Sequence, residues 1–93
     1  MSQDSVASFA RLARRALEAV GCRVEVAEED GAAVIRDVIV EFGPTIICSR
    51  ASSPDEPFMS FPPDAVEAAA AAVVVDVLKG IVSRAVETES LRS

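Results

Sequence analysis

Three consecutive acidic residues, Glu28, Glu29 and Asp30, are the first candidates for chemistry in this 93-residue chain. The chain has no His, no Tyr and a single Lys, so the usual general bases and activated nucleophile pairs cannot be assembled. What remains is carboxylate chemistry or the binding of a divalent cation. Acidic residues just before Gly31 are, however, typical of a solvated turn. We therefore expect no catalytic residue, metal site or cofactor, and keep a carboxylate-based enzyme as a minor alternative.

The two cysteines, Cys22 and Cys48, do not form a motif for redox chemistry or zinc binding. They lie in separate apolar stretches, without Cys-x-x-Cys spacing and without a His to complete a metal site. The sequence shows no secretory signal, and no segment approaches the ~20 apolar residues that span a bilayer. We expect a cytoplasmic protein with two reduced, buried thiols and no contact with membranes.

A basic face is the remaining polar candidate. Arg11, Arg14 and Arg15 are spaced so that they share one side of a helix, where they could contact phosphate or an acidic protein surface. The net charge of −6 repels nucleic acid and favours a basic partner. We expect these arginines to be solvated or to make polar contacts with a protein, and nucleic-acid binding stays the alternative.

Hydrophobic periodicity predicts a helix towards each end of the chain. The first should run from about Ser5 to Val20, with Gly21 as its left-handed cap. The second should run from about residue 65 to residue 88, with Asp64 and Glu67 forming a reciprocal capping box at its start. Both helices are therefore expected to carry apolar side chains towards a shared core.

Alternating apolar residues between the helices predict three strands, over residues 22–26, 34–42 and 45–50. Asp30-Gly31 indicates a hairpin between the first two strands, which would make them antiparallel. The alternation breaks at Arg36-Asp37, where we expect a bulge or an early edge.

These elements predict one two-layer α+β domain over residues 1–93. In it, two helices cover a three-stranded antiparallel meander in the order α-β-β-β-α. Residues 89–93 are expected to form a frayed tail. This order is similar to that of the double-stranded-RNA-binding domain. Where that family has a basic cluster, residues 63–67 read Pro-Asp-Ala-Val-Glu, which would place acid against phosphate. The similarity covers element order and no motif, so we assign no family.

Residues 51–63 contain four prolines and three serines and are expected to form an irregular loop. This segment also carries Phe58, Met59 and Phe61. One interpretation is a lid that folds back over a core poor in aromatics. The other is a stiff loop that presents the three side chains as anchors for a protein partner.

The second predicted helix is apolar all round from Ala68 to Val75, and such a helix must be covered on more than one side. Four of its residues are expected to point away from the sheet: Ala68, Ala71, Ala72 and Val75. The first helix, a second copy of the chain or another protein could cover them. We expect a homodimer through this helix.

The resulting functional expectation is a small acidic protein-binding module without catalytic activity, acting as an adaptor, a chaperone-like protein or an inhibitor. One version would block a nucleic-acid-binding machine by presenting carboxylates where phosphates would lie.

Overall fold

The computed structural model describes the backbone of residues 2–92 and the side chains of residues 4–83. It consists of two helices and one five-stranded antiparallel sheet, which confirms the expected α+β class. In chain order the elements are α1 (Ser2–Ala19), β1 (Val26–Glu29), β2 (Ala32–Ile35), β3 (Val38–Phe42), β4 (Ile46–Arg50), β5 (Ser53–Phe61) and α2 (Val66–Arg92).

The sheet is a meander in which each strand pairs with its neighbours in sequence, in the order β1-β2-β3-β4-β5. All four pairings are antiparallel, as expected. The expected number of three strands is wrong. The strand predicted over residues 34–42 is divided between β2 and β3, and the loop predicted over residues 51–63 contains β5.

The segment expected to be a single strand over residues 34–42 is divided between β2 and β3 by a two-residue turn at Arg36-Asp37. Ile35 pairs with Val38 directly across this turn. Arg36 has a φ of 53°, a left-handed conformation that residues other than Gly seldom adopt. The break in alternation was therefore the signal of a turn, and our interpretation as a bulge or an early edge is wrong.

The proline-rich segment 51–63 contains the nine-residue strand β5 and is not an irregular loop. β5 pairs with β4 from Phe61, opposite Ile46, to Ser53, opposite Arg50, with register shifts on either side of Ser49. Proline lacks an N–H and is tolerated in a sheet at an edge or at a bulge. β5 offers both conditions, because it is the last strand of the sheet and its pairing is irregular.

β1 begins at Val26 and extends to Glu29, so the predicted strand over residues 22–26 was placed too early. The hairpin that follows is confirmed, since Glu29 pairs with Ala32 and Gly31 adopts a φ of 69°. The expected strand over residues 45–50 is also confirmed as β4.

α1 begins at Ser2, earlier than expected, and ends in the predicted glycine cap. Gly21 has a φ of 71°, and its N–H donates to the Glu18 carbonyl at 3.0 Å. The Cys22 N–H donates to the Leu17 carbonyl at 2.9 Å. This pair of bonds is the Schellman motif, which satisfies carbonyls at the end of the helix.

α2 begins one residue later than expected. The Ala65 carbonyl accepts from the Ala69 N–H at 3.0 Å, so Ala65 is the N-cap instead of Asp64. The predicted capping box is therefore wrong, and the side chains of Asp64 and Glu67 make no hydrogen bond to the described residues. α2 continues past the expected end to Arg92, while fraying of residues 89–93 stays a prediction. None of the helical segments described is both long and apolar enough to cross a membrane.

The hydrophobic core lies between the sheet and the two helices. α1 lies over β1, β2 and β3, α2 lies over β4 and β5, and the helices pack against each other. The rings of Phe9 on α1 and Phe42 on β3 meet edge to face, with centroids 5.4 Å apart. Other fully buried side chains include Ala13, Leu17, Ile35, Val38, Val40, Ile46, Cys48, Ala69 and Val73.

Candidate functional site

α2 is apolar on two opposite sides. The side towards the sheet and α1 is buried and comprises Ala69, Ala70, Val73, Val74 and Val77. The opposite side carries Ala68, Ala71, Val75, Leu78 and Val82, at alternating spacings of three and four residues. We call these five residues the outer stripe. At 3.6 residues per turn they fall within an arc of about 80° and extend over about 21 Å of helix.

Four of the five residues of the outer stripe are exposed: Val75 is 49% exposed, Val82 is 61% exposed, and Ala68 and Ala71 are also exposed. Leu78 is half-buried at the edge of the stripe, where it packs against the core. Three of the four α2 residues expected to point away from the sheet are therefore exposed, while Ala72 is half-buried at the flank. Sequence reasoning missed Leu78 and Val82, although they continue the spacing of the outer stripe by seven residues from Ala71 and Val75.

The three candidates on β5 divide between the two interpretations. Met59 and Phe61 are partly buried and pack against the core, opposite Cys48 and Ile46 on β4. Phe58 is 37% exposed, and its ring lies beneath the Arg50 guanidinium, whose Cζ is 4.4 Å from the ring centroid. Met59 and Phe61 thus extend the core, and Phe58 is the most exposed of the three.

Arg50 joins β4 to α2 and to the β2–β3 turn. Its Nη2 donates to Asp76 Oδ1 at 2.9 Å, and its Nη1 lies 2.8 Å from Asp76 Oδ2 and 3.4 Å from Asp37 Oδ2. Asp76 Oδ2 is buried and has this charge contact, but it has no hydrogen-bond donor among the described residues. The hydrogen bond that Arg50 donates to Asp76, together with the charges of both aspartates, raises the pKa of Arg50.

A surface cavity of about 790 Å³ opens beside this ion pair. Its polar lining is Arg36, Asp37, Arg50, Asp76, Lys79 and Ser83. Sequence reasoning missed this cluster, because residues 26 positions apart on a strand and a helix show no spacing pattern. The carboxylates partner Arg50, so the cluster fixes the end of the sheet to α2.

The basic face of α1 is not a free cluster of three arginines. Arg14 donates to the Val26 carbonyl at 2.8 Å and contacts Glu28 Oε2 at 3.3 Å. Arg11 and Arg15 are exposed and line a groove between the helices that also contains Asp4, Asp64 and Glu67. The structure therefore brings two of the three predicted residues together, in acidic surroundings.

The acidic run does not form a common site. Glu28 pairs with Arg14 on the helix side of the sheet, while its neighbour Glu29 points to the other face, because successive strand residues alternate. No group of three possible metal ligands occurs among the described residues. Cys48 is fully buried, and burial, with the nearby charge of Asp76, raises the pKa of its thiol to about 11, which leaves it protonated at neutral pH.

Comparison with known proteins gives no match to a protein-family model, a curated protein or a solved structure.

Proposed function

We propose that the chain is a small acidic protein-binding module without a catalytic role, in which two copies pair through the outer stripe of α2. The observation that supports this is the exposed apolar stripe on a helix whose other side already lies in the core. Exposed apolar side chains aligned along one helix face are typical of helix pairing.

The sizes of the side chains in the outer stripe favour a second copy as the occupant. Small residues, Ala68 and Ala71, come first, and larger ones follow. In an antiparallel pair centred on Val75, Ala68 lies opposite Val82 of the second copy, and Ala71 lies opposite Leu78. Each small residue then receives a large one, which fills the space between the helices. Parallel pairing would place alanine against alanine and leave a gap at one end.

The net charge of −6 favours a basic protein as the partner of this homodimer. An adaptor, a chaperone-like protein or an inhibitor would all use such a surface, and an inhibitor of a nucleic-acid-binding machine would present its carboxylates in place of phosphates. We place the protein in the cytoplasm, which agrees with two free cysteines.

The alternatives have less support. Nucleic-acid binding through α1 would have to do without Arg14, because Arg14 is hydrogen-bonded within the chain. The groove beside Arg11 and Arg15 is lined by three carboxylates, which would repel phosphate. A carboxylate enzyme would need its acids to converge, and Glu28 and Glu29 lie on opposite faces of β1.

The test uses two identical substitutions on two helices. Ala71→Glu places a charge in the outer stripe, and Ala16→Glu places the same charge on the exposed side of α1. Size-exclusion chromatography with light scattering should give a dimer for the wild type and for Ala16→Glu. Ala71→Glu should be a monomer, or dissociate at least about tenfold more readily, with an unchanged circular dichroism spectrum.

A second pair of substitutions tests the antiparallel register. Ala68→Val and Val82→Ala should each weaken the dimer. Ala68→Val adds volume to a packed contact, and Val82→Ala leaves a cavity in it. The double variant exchanges the two side chains and should restore most of the affinity. A wild-type monomer at about 1 mM, or a dimer that Ala71→Glu leaves intact, would show that the outer stripe is not a self-interface.

A further inference from the structure

The surface cavity beside the Arg50–Asp76 pair is lined by two residues that local preference does not favour. Arg36 has a φ of 53° in the β2–β3 turn, where Gly would be less strained. Gly80 lies inside α2, where Ala would favour the helix. A Cβ added at Gly80 would meet no atom within 4 Å, so no packing contact of the chain requires a glycine there.

Both departures from local preference therefore meet at one cavity. Strained residues and broken local rules accumulate at ligand-binding sites, where function compensates for the lost stability. The volume of about 790 Å³ is within the range of pockets that hold small molecules. A side chain at residue 80 would occupy part of this space, and glycine leaves it open.

Five charged side chains line the cavity, three of them basic and two acidic, which leaves one net positive charge. Both acids, Asp37 and Asp76, pair with Arg50. The other two basic residues, Arg36 and Lys79, form no ion pair with the described residues. The remaining acidic residues at this end of the sheet do not line the cavity: Glu25, Asp55 and Glu56.

The groups without an internal partner define the ligand. Lys79 and Ser83 are four residues apart and share one face of α2, while Arg36 lies on the turn at another wall of the same cavity. Guanidinium, ammonium and hydroxyl donors that converge from two sides suit the oxygens of a tetrahedral phosphate. Asp37, whose side chain is 64% exposed, can accept hydrogen bonds from hydroxyl groups of the same ligand.

We propose that this cavity binds the phosphate monoester of a small hydroxylated molecule. The phosphate lies between Arg36, Lys79 and Ser83, and the rest of the ligand lies beside Gly80 and Asp37. This site goes beyond the proposed protein-binding function and does not rest on self-pairing.

Three probes test the proposal: ribose 5-phosphate, inorganic phosphate and ribose, each added to ¹⁵N-labelled protein at constant ionic strength. Ribose 5-phosphate should shift the amide signals of Arg36, Gly80 and Ser83 and saturate with a Kd of about 1 mM or below. Inorganic phosphate should act on the same signals with about tenfold lower affinity. Ribose should give no saturable shift, because it lacks the charged group.

Two variants should gain thermal stability and lose ligand affinity, a combination that damage to the fold would not produce. Arg36→Gly relieves strain but removes a charged donor, and should lower the affinity for ribose 5-phosphate about tenfold. Gly80→Ala favours the helix but fills part of the cavity, and should lower the affinity about fivefold.

The matched controls are Arg23→Gly and Gly43→Ala, since neither residue lines the cavity and a Cβ at Gly43 also meets no atom within 4 Å. Both should bind ribose 5-phosphate as the wild type does. Ala71→Glu should also keep the wild-type affinity, which separates this test from that of self-pairing.

Four results would overturn the inference. No saturable shift with about 20 mM ribose 5-phosphate would show that the cavity holds no such ligand. Equal affinity for ribose and ribose 5-phosphate would show that the phosphate is not recognised. Unchanged affinity in Arg36→Gly and Gly80→Ala would place the binding elsewhere, and an equal loss in Arg36→Gly and Arg23→Gly would indicate a general effect of charge.

Discussion

At the scale of single residues, Cys48 should make the protein less stable at alkaline pH. Its thiol is fully buried, and burial first, then the charge of Asp76, raises its pKa from 9.0 to about 11. The folded state therefore keeps this proton when the unfolded chain has lost it. The resulting stability is present below pH 9 and is lost as the pH rises through about 11, with a total change of about 3 kcal/mol.

Urea unfolding of the wild type and of Cys48→Ala between pH 8 and pH 11 measures this contribution. The free energy of unfolding should fall by about 2 kcal/mol more in the wild type than in the variant across this range. Parallel curves for the two proteins would mean that the Cys48 thiol does not titrate differently in the folded state.

Arg36 is held in a left-handed conformation that an arginine adopts at a cost. Arg36→Gly should therefore raise the free energy of unfolding by about 0.5 to 1 kcal/mol, because Gly adopts a φ of 53° without a clash. Thermal unfolding provides the measurement. Arg23→Gly removes the same charge at a residue without positive φ and should not stabilise the protein, so a gain in both variants would indicate a charge effect instead.

At the scale of elements, β5 carries one phenylalanine that packs against the core, Phe61, and one that is more exposed, Phe58. Phe61 packs against the core, so Phe61→Ala should cost about 2 to 3 kcal/mol of unfolding free energy. Phe58→Ala should cost about 1 kcal/mol, since it loses mainly a half-exposed contact with Arg50. Chemical denaturation of both variants tests this, and equal losses would contradict the division of β5 into a core part and an exposed part.

The helices could be predicted from the sequence because their signals are local. Apolar spacing and Gly21 define α1, and the uninterrupted apolar run defines α2 and its two apolar sides. β5 could not be predicted, since most of its side chains are exposed and two prolines interrupt it. Its pairing with β4 is a tertiary contact, and tertiary context overrides local preference at a sheet edge.

The candidate surfaces also divide into those that local sequence signals predict and those that depend on tertiary contacts. Ala68, Ala71 and Val75 could be identified because their exposure depends only on the phase of one helix. The Arg50–Asp76 pair depends on strand register, which the missed turn at Arg36-Asp37 altered. One unrecognised turn reverses the direction of every later strand, so their neighbours could not be assigned.

At the scale of the whole molecule, the protein is a two-layer domain whose helix layer carries the exposed residues of the outer stripe. A domain of this size buries roughly 60 to 65% of the surface that its unfolded chain exposes, so its own core is small. Self-association through the outer stripe would add a covered layer. We therefore expect the midpoint of thermal unfolding to rise with protein concentration in the wild type and to be independent of it in Ala71→Glu.

The meander has a consequence for how the chain folds as it leaves the ribosome. Every strand pairs with the strand made just before it, so the sheet can assemble progressively from short loops, which favours rapid folding. β4 and β5, however, lie beneath α2, which is synthesised after them. Until α2 emerges from the exit tunnel, the core-facing side chains of those two strands lack their helix cover, and we expect chaperones to bind the nascent chain at that moment.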